Sequence, residues 1–394
     1  MSFPFFMTWS KQKNASSFNI TSNETYCFRT PEGKEILDMS STSYQASFGL
    51  KNSEICQAIS NQLKEMPVTS PKAIWPNKIN TTKKLLIEMN LGEGKIFYTN
   101  SGSEAIENAL KIARLVKKKN IVLSRRKSYH GATLGAVSIT GDWRHDDPST
   151  VDQWSAFIPE PDDDPNCEAT EKIILDIGAE KIAAICLETI TGNNGVIIPS
   201  KGWYNAIRAL CIKHNIFLIL DEVICGFYRT GKAFGYQHYN IKPDLVCLAK
   251  GMTGGHFPLG AVFVNKDISN YFEENVLPCG LTNYAHPIGL AALQAVLELT
   301  ESGDFQRHQA RLNEFFNTEL DSFRSLPNVK DVRAKGLLAA IDLNVAPPAW
   351  EAWIDAGIYL IRQENRIILA PPLVMPTDLL KKGLDTIKGM LSYE

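Results

Sequence analysis

An acid and an amine, each at the end of an apolar run, stand out in the stretch NIFLILDEVICGFYRTGKAFGYQHYNIKPDLVCLAKGMTGG, residues 215–255. The run 216–220 ends on Asp221, and the run 245–249 ends on Lys250. Short apolar runs without alternation predict strands buried on both faces. In an open α/β sheet ligands bind outside the carboxyl ends of the strands, so both side chains are expected in one crevice. A lysine there can hold an aldehyde as a Schiff base. A carboxylate beside it can keep a pyridine nitrogen protonated, so that the ring accepts electrons when a Cα–H bond breaks. Together these are the protein's two essential contributions to pyridoxal phosphate chemistry. Either residue alone would serve equally well as a turn cap or a strand end, so the assignment rests on the segments around them.

Such a cofactor also needs a phosphate cup and a face for its ring. In the segment 95–116 a strand passes through Ser101, Gly102 and Ser103 into an amphipathic helix carrying Ala105, Ala109, Ile112 and Ala113. Glycine allows close approach of backbone N–H groups, and a helix N-terminus favours an anion. A strand at 120–124 then leads to Tyr129 and His130, just before Gly131. A flat aromatic one strand from the cup can stack on a pyridine ring. The buried run 181–187 ends on a further carboxylate, Glu188, and a helix is expected over 202–214.

At 394 residues the chain suggests about two domains or one large α/β domain with a satellite. Its 41 basic and 43 acidic residues leave a formal charge of −2, too small for a global field that would attract nucleic acid or an anionic membrane. The expected partners are small molecules. Eight cysteines show no paired C-x-x-C spacing. Cys186, Cys211, Cys225 and Cys247 sit in or beside apolar runs and read as buried thiols in a reducing, cytoplasmic setting. The start MSFPFFMTW has neither a basic n-region nor a small-residue cleavage site, and no apolar run has the length of a membrane span.

The remaining elements follow from periodicity. An arm precedes a small β element at 26–29 and 34–37, and helices are expected over 53–66 and 81–90. The span 143–164, rich in Asp, Pro and Ser, reads as a loop rimming the site. Its PDDDP run reads as solvated rather than metal-binding, and no metal is assigned. After LTNYAHP, helices are expected over 288–302 and 304–325, a strand over 331–342, a short helix over 347–356, strands at 358–362 and 366–369, and a last helix from Asp378. Strand and helix alternate through the middle of the chain, as a mostly parallel sheet with helices on both faces requires.

These segments, in this order, resemble the class III aminotransferases of pyridoxal phosphate fold type I, from about Trp9 to Leu391. The motifs are NSGSEA at 100–105, SYHG at 128–131, LDEVICGFYRTG at 220–231, LAKGMTGG at 248–255, LTNYAHP at 281–287 and ENRIILAPPL at 364–373. The resemblance implies an α/β fold with a seven-stranded, mostly parallel sheet and a smaller α+β domain. Residues 1–45 would form the arm and part of the small domain, 46–285 the large cofactor-binding domain, and 286–394 the C-terminal small domain. It implies phosphate contacts from Gly102 and Ser103, and ring contacts from Tyr129 and Val223, with His130 and Glu188 beside them. A homodimer is implied too, with Thr282 completing the phosphate site across the interface.

Ile224 follows Asp-Glu-Val where enzymes of ornithine-like or 4-aminobutyrate-like substrates often have glutamine. The chain therefore resembles the ω-amino acid or amine:pyruvate subgroup, which implies amino transfer to a keto acid such as pyruvate. Diaminopelargonate-, acetylornithine- and 4-aminobutyrate-type enzymes are the alternatives, followed by an aminomutase or a non-catalytic binding subunit. Tyr228 in place of the usual glycine, and Thr189 after Glu188, depart from the family pattern. Arg366 and Arg362 both approach the family's carboxylate-binding position, with Arg366 preferred, and Tyr44 is expected to line the substrate pocket.

Overall fold

The computed structural model describes residues 3–146, 148 and 150–392. Its centre is a seven-stranded sheet of β1 (Gly94–Thr99), β2 (Ile121–Arg125), β3 (Ser155–Ile158), β4 (Ile182–Glu188), β5 (Phe217–Asp221), β6 (Leu245–Leu248) and β7 (Gly260–Asn265). The spatial order is β1-β7-β6-β5-β4-β2-β3. Pairing is parallel throughout β6-β5-β4-β2-β3, whereas β7 is antiparallel to both its neighbours. The three strands β4, β5 and β6 are buried at every position, which explains why they read as continuous apolar runs. Among the described residues no helix is long and apolar enough to cross a membrane.

Two smaller sheets flank this core. In one, Glu35–Asp38 pairs antiparallel with Cys27–Arg29 and parallel with Ile358–Tyr359, joining the two ends of the chain. The other has the order β8-β9-β11-β10, built from β8 (Val329–Lys335), β9 (Leu338–Leu343), β10 (Ile361–Gln363) and β11 (Arg366–Leu369). Arg229 ties these parts together. It is fully buried and donates from Nη1 to the carbonyls of Leu337 and Pro371, and from Nη2 to the hydroxyls of Ser41 and Ser47.

Several expectations are corrected. The span 143–164 is not all loop, because it contributes β3. This is an edge strand of four residues, too short to carry a period. The single strand expected over 331–342 is a hairpin, β8 and β9, turning at Gly336 (φ +60°), where charged residues alternate before the glycine and an apolar run follows it. The run expected to deliver Lys250 as a strand end stops at Leu248, and Lys250 opens a 3₁₀ turn with φ +47°. The helix expected from Thr81 begins at Pro76, where proline occupies the first turn without losing a hydrogen bond. Strand β7 and the helix Lys266–Glu274 had no sequence expectation at all. The helices Leu134–Ile139 and Glu168–Ile177 had none either, the other expected helices lie within a few residues of their expected bounds, and Cys186, Cys211, Cys225 and Cys247 are buried thiols.

Gly336 has no room for a side chain. A Cβ there would stand 2.3 Å from the Thr230 carbonyl carbon and 2.5 Å from the Gly231 nitrogen. Gly336→Ala is therefore expected to cost about 2–4 kcal/mol in denaturant unfolding, because backbone must move. Gly33, also at positive φ but with open space around it, is the control. Gly33→Ala should cost about 1 kcal/mol, and equal losses in the two variants would contradict the packing argument.

Candidate active site

The site forms where β5 and β6 end. Asp221 is the last residue of β5, and its side chain is nearly buried. Its Oδ1 accepts from the Val223 backbone N–H at 3.0 Å, and its Oδ2 meets His130 Nδ1 at 2.8 Å. His130 is itself buried, with Nε2 3.3 Å from the Ser124 hydroxyl. The ring thus braces Asp221 from β2 and fixes the carboxylate plane.

Lys250 follows β6 on the neighbouring strand, and its Nζ lies 5.2 Å from the centre of the Tyr44 ring. Among the described residues the amine has neither a hydrogen-bond nor an ion-pair partner. Burial pushes its pKa down from the ordinary lysine value, against the opposing pull of Asp221 and Glu188. Burial pushes the Glu188 carboxyl up, although the Gly192 and Tyr129 N–H groups donate to it at 2.8 and 3.0 Å.

The helix α1 (Gly102–Lys117) begins beside these groups. A Cβ on Gly102 would lie 3.0 Å from Val223 Cγ1 and 3.5 Å from Ala249 Cβ, so the cup glycine touches both the Asp221 turn and the residue before Lys250. Ser103 Oγ would meet a Cβ on Gly131 at 2.3 Å, so the cup also abuts the loop carrying Tyr129 and His130. The N-cap is Ser101, which accepts from Glu104 N–H.

Lys250, Tyr129 and Tyr44 line a cavity of about 930 Å³. Tyr44 donates to Asn193 Oδ1 at 2.7 Å, and burial raises its phenol pKa. Its position depends on an unusual backbone: Ser41, Thr42, Ser43 and Tyr44 all have φ between +47° and +72°. Asp38 holds that turn through Ser40 and Thr42. Arg366 reaches the cavity from β11 and forms an ion pair through Nε with Asp342, which also pairs with Arg333 at 2.7 Å. Its guanidinium lies over Gly195. Arg362 also lines the cavity, but it donates to the carbonyls of Pro347 and Pro348.

The fold therefore brings Gly102, Ser103, Tyr129, His130, Glu188, Asp221, Val223 and Lys250 together. His130 and Glu188 act on Asp221 and on the Tyr129 backbone. Thr282 stands on an exposed turn outside this cluster. Sequence reasoning missed Arg144, Asp142, Trp9, Trp143, Asn193 and Asn194, which also line the cavity. The rim expected of the 143–164 loop was the available signal for Trp143 and Arg144, and the others lie outside it.

The sequence matches the aminotransferase class-III family over residues 8–391. The chain belongs to the class-III aminotransferases. This enzyme is 31% identical to an omega-aminotransferase of Caulobacter vibrioides, over 92% of its own length and 91% of that protein. It is 30% identical to a putrescine–pyruvate aminotransferase of Pseudomonas aeruginosa, over 90% and 86% of the two chains. Its fold matches a crystal structure of taurine:2-oxoglutarate aminotransferase from Bifidobacterium kashiwanohense, in complex with PLP and glutamate. That match has a TM-score of 0.92 and 30% identity, and covers 98% of this chain and 95% of that one. The enzyme is a transaminase, moving an amino group to a keto acid on an α/β fold of the pyridoxal phosphate fold-type-I class.

Because burial favours the neutral amine, Lys250 should react with a small aldehyde plus cyanoborohydride at lower pH than exposed lysines do. Peptide mass spectrometry across a pH series reads the midpoint. A midpoint equal to or above that of the exposed lysines would overturn the burial argument.

Proposed function

We propose that the enzyme is a pyridoxal phosphate-dependent transaminase that moves the amino group of an ω-amino acid or amine to a keto acid such as pyruvate. The observation that carries this reading is the Lys250 amine in the cavity wall, without a hydrogen-bond or ion-pair partner among the described residues, one strand from a carboxylate held by His130 and the Val223 N–H. The residues suit the cofactor. The crowding at Gly102 keeps the backbone bare where a phosphate would sit, and Asp221 presents an oriented carboxylate for a ring nitrogen.

On this reading Gly102 and Ser103 would hold the phosphate, Tyr129 and Val223 would hold the ring, and Asp221 would pair with its nitrogen. His130 orients Asp221, and Glu188 fixes the Tyr129 backbone. When bound, pyridoxal phosphate supplies the electron sink and the carbon that carries the amino group between donor and acceptor. Lys250 Nζ, whose charged form burial disfavours, would take the proton from the amine-bearing carbon and later return it, as base and then acid. Arg366, with Arg362 at the rim, receives the keto acid's carboxylate, and Tyr44 borders the donor's side chain.

Residues 46–285 would form the cofactor-binding domain, with 1–45 and 286–394 around it. The exposure of Thr282 outside the cluster supports a homodimer in which it completes the partner's phosphate site. Eight free cysteines, five of them buried, suit a reducing, cytoplasmic setting.

Borohydride treatment of the cofactor-loaded enzyme should fix the cofactor's mass on the Lys250 peptide. Lys250→Ala should show no such adduct and lose at least about 10²–10⁴-fold in turnover, the range for removing a general acid/base. Donors added without acceptor should give one equivalent of carbonyl product, and pyruvate should restore the starting spectrum. Near-normal turnover by Lys250→Ala would overturn the reading, and a monomeric mass in light scattering would remove Thr282 from the site.

A further inference from the structure

The family's anchor positions leave one strongly placed charge in the cavity unaccounted for. Arg144 sits in a 3₁₀ turn, Trp143–Asp146, just after the helix Leu134–Ile139, and only 11% of its side chain is exposed. Its guanidinium carbon lies 4.4 Å from the centre of the Tyr129 ring, 4.8 Å from Trp9 and 4.9 Å from Trp143. Three aromatic faces hold it in place. Nη1 forms an ion pair with Asp142, whose carboxylate also accepts from Asn194 at 3.2 Å and from the Arg144 backbone N–H at 3.1 Å. The Nε is buried without a partner, and Nη2 has none among the described residues.

A guanidinium fixed through Nη1, with Nη2 left without a partner among the described residues, within the cavity, can receive an anion there. The charges around it favour the same sign of ligand. Asp142 is committed to Arg144 and Asp342 is shared between Arg333 and Arg366, which leaves Glu364 as the remaining acid of the wall against Lys250, Lys330 and Arg362. A diamine would carry its second ammonium into this field. A neutral amine would leave Nη2 desolvated and unmatched, which costs affinity. The cavity also presents its arginines from different walls, Arg366 from the C-terminal sheet and Arg144 from the 3₁₀ turn. A keto acid carries its carboxylate next to the reacting carbon, whereas an ω-amino acid carries its anion one or more methylenes away. Two anion positions on different walls suit such a pair.

We propose that Arg144 is the specificity-determining residue for the amino donor, receiving the distal carboxylate or sulfonate of a short ω-amino acid. This rests on the transaminase reading above. The decisive quantity is the ratio of kcat/KM for β-alanine to that for n-butylamine, with pyruvate as acceptor. R144Q should lower that ratio by about 10- to 100-fold, the scale of one lost charge-assisted hydrogen bond, and R144K should restore part of it. A readout independent of turnover is calorimetric titration of the holoenzyme with propionate and propionamide. The wild type should bind the anion more tightly, and R144Q should lose that preference.

An unchanged ratio in R144Q would overturn the proposal, as would a wild-type preference for n-butylamine or putrescine over β-alanine. A higher pyruvate KM without a change in ratio would assign Arg144 to the acceptor and equally refute it. Each of these leaves the transaminase reading standing. Failure of the loaded wild-type enzyme to convert any amine would instead remove that reading.

Discussion

A charge withdrawn from water has to be matched inside the protein, and the centre of this molecule is arranged around that requirement. Parallel strands deliver Asp221 and Glu188 from β5 and β4 into the interior, with Lys250 close behind the end of β6. Each carboxylate receives its donors from a different loop. His130 comes from the loop after β2, the Gly192 N–H from the turn after β4, and the Val223 N–H from the turn after β5. Satisfying the charges therefore fixes the loops, and the loops define the cavity. Lys250 is the exception. Its amine is left without a hydrogen bond among the described residues, which is the condition a nucleophile and proton carrier needs.

The same logic holds the periphery to the core. Arg229 spends its terminal nitrogens on two carbonyls of the C-terminal segment and two hydroxyls of the 41–47 segment. Burial pushes its pKa down to about 10, so it remains a cation at neutral pH. One side chain thus sets the C-terminal sheet, which supplies Arg366, against the segment that supplies Tyr44. The two parts of the cavity wall that carry Arg366 and Tyr44 share a common anchor.

Much of this was legible in the sequence because the strands that matter most are buried on both faces. The runs ending on Glu188 and Asp221 could be little else, and the spacing of Gly102 and Ser103 ahead of an amphipathic helix marked its N-terminus. What escaped was set by tertiary context. Strand β7 runs antiparallel between β6 and β1, so no crossover helix announces it. The Gly336 turn is marked by a single glycine between two strand-like stretches, a pattern that does not distinguish one strand from two. Arg144 and Asp142 come from a segment with little periodicity. Only the folded chain shows that three rings, from the arm, the β2 loop and the 3₁₀ turn, close around one guanidinium.

The left-handed turn from Ser41 to Tyr44 has a consequence for how this enzyme can vary. Four consecutive non-glycine residues at positive φ, one of them β-branched, hold backbone energy of about 1–2 kcal/mol each. Asp38, Ser40 and Arg229 hold the turn in that state. Glycine at Thr42 would relieve part of that energy and yet widen the set of positions open to Tyr44. Variation that raises thermal tolerance at this turn would thus blur substrate choice, whereas variation that sharpens substrate choice would have to keep the turn uncomfortable. Adaptation to heat and adaptation to a new amine would compete for the same four residues.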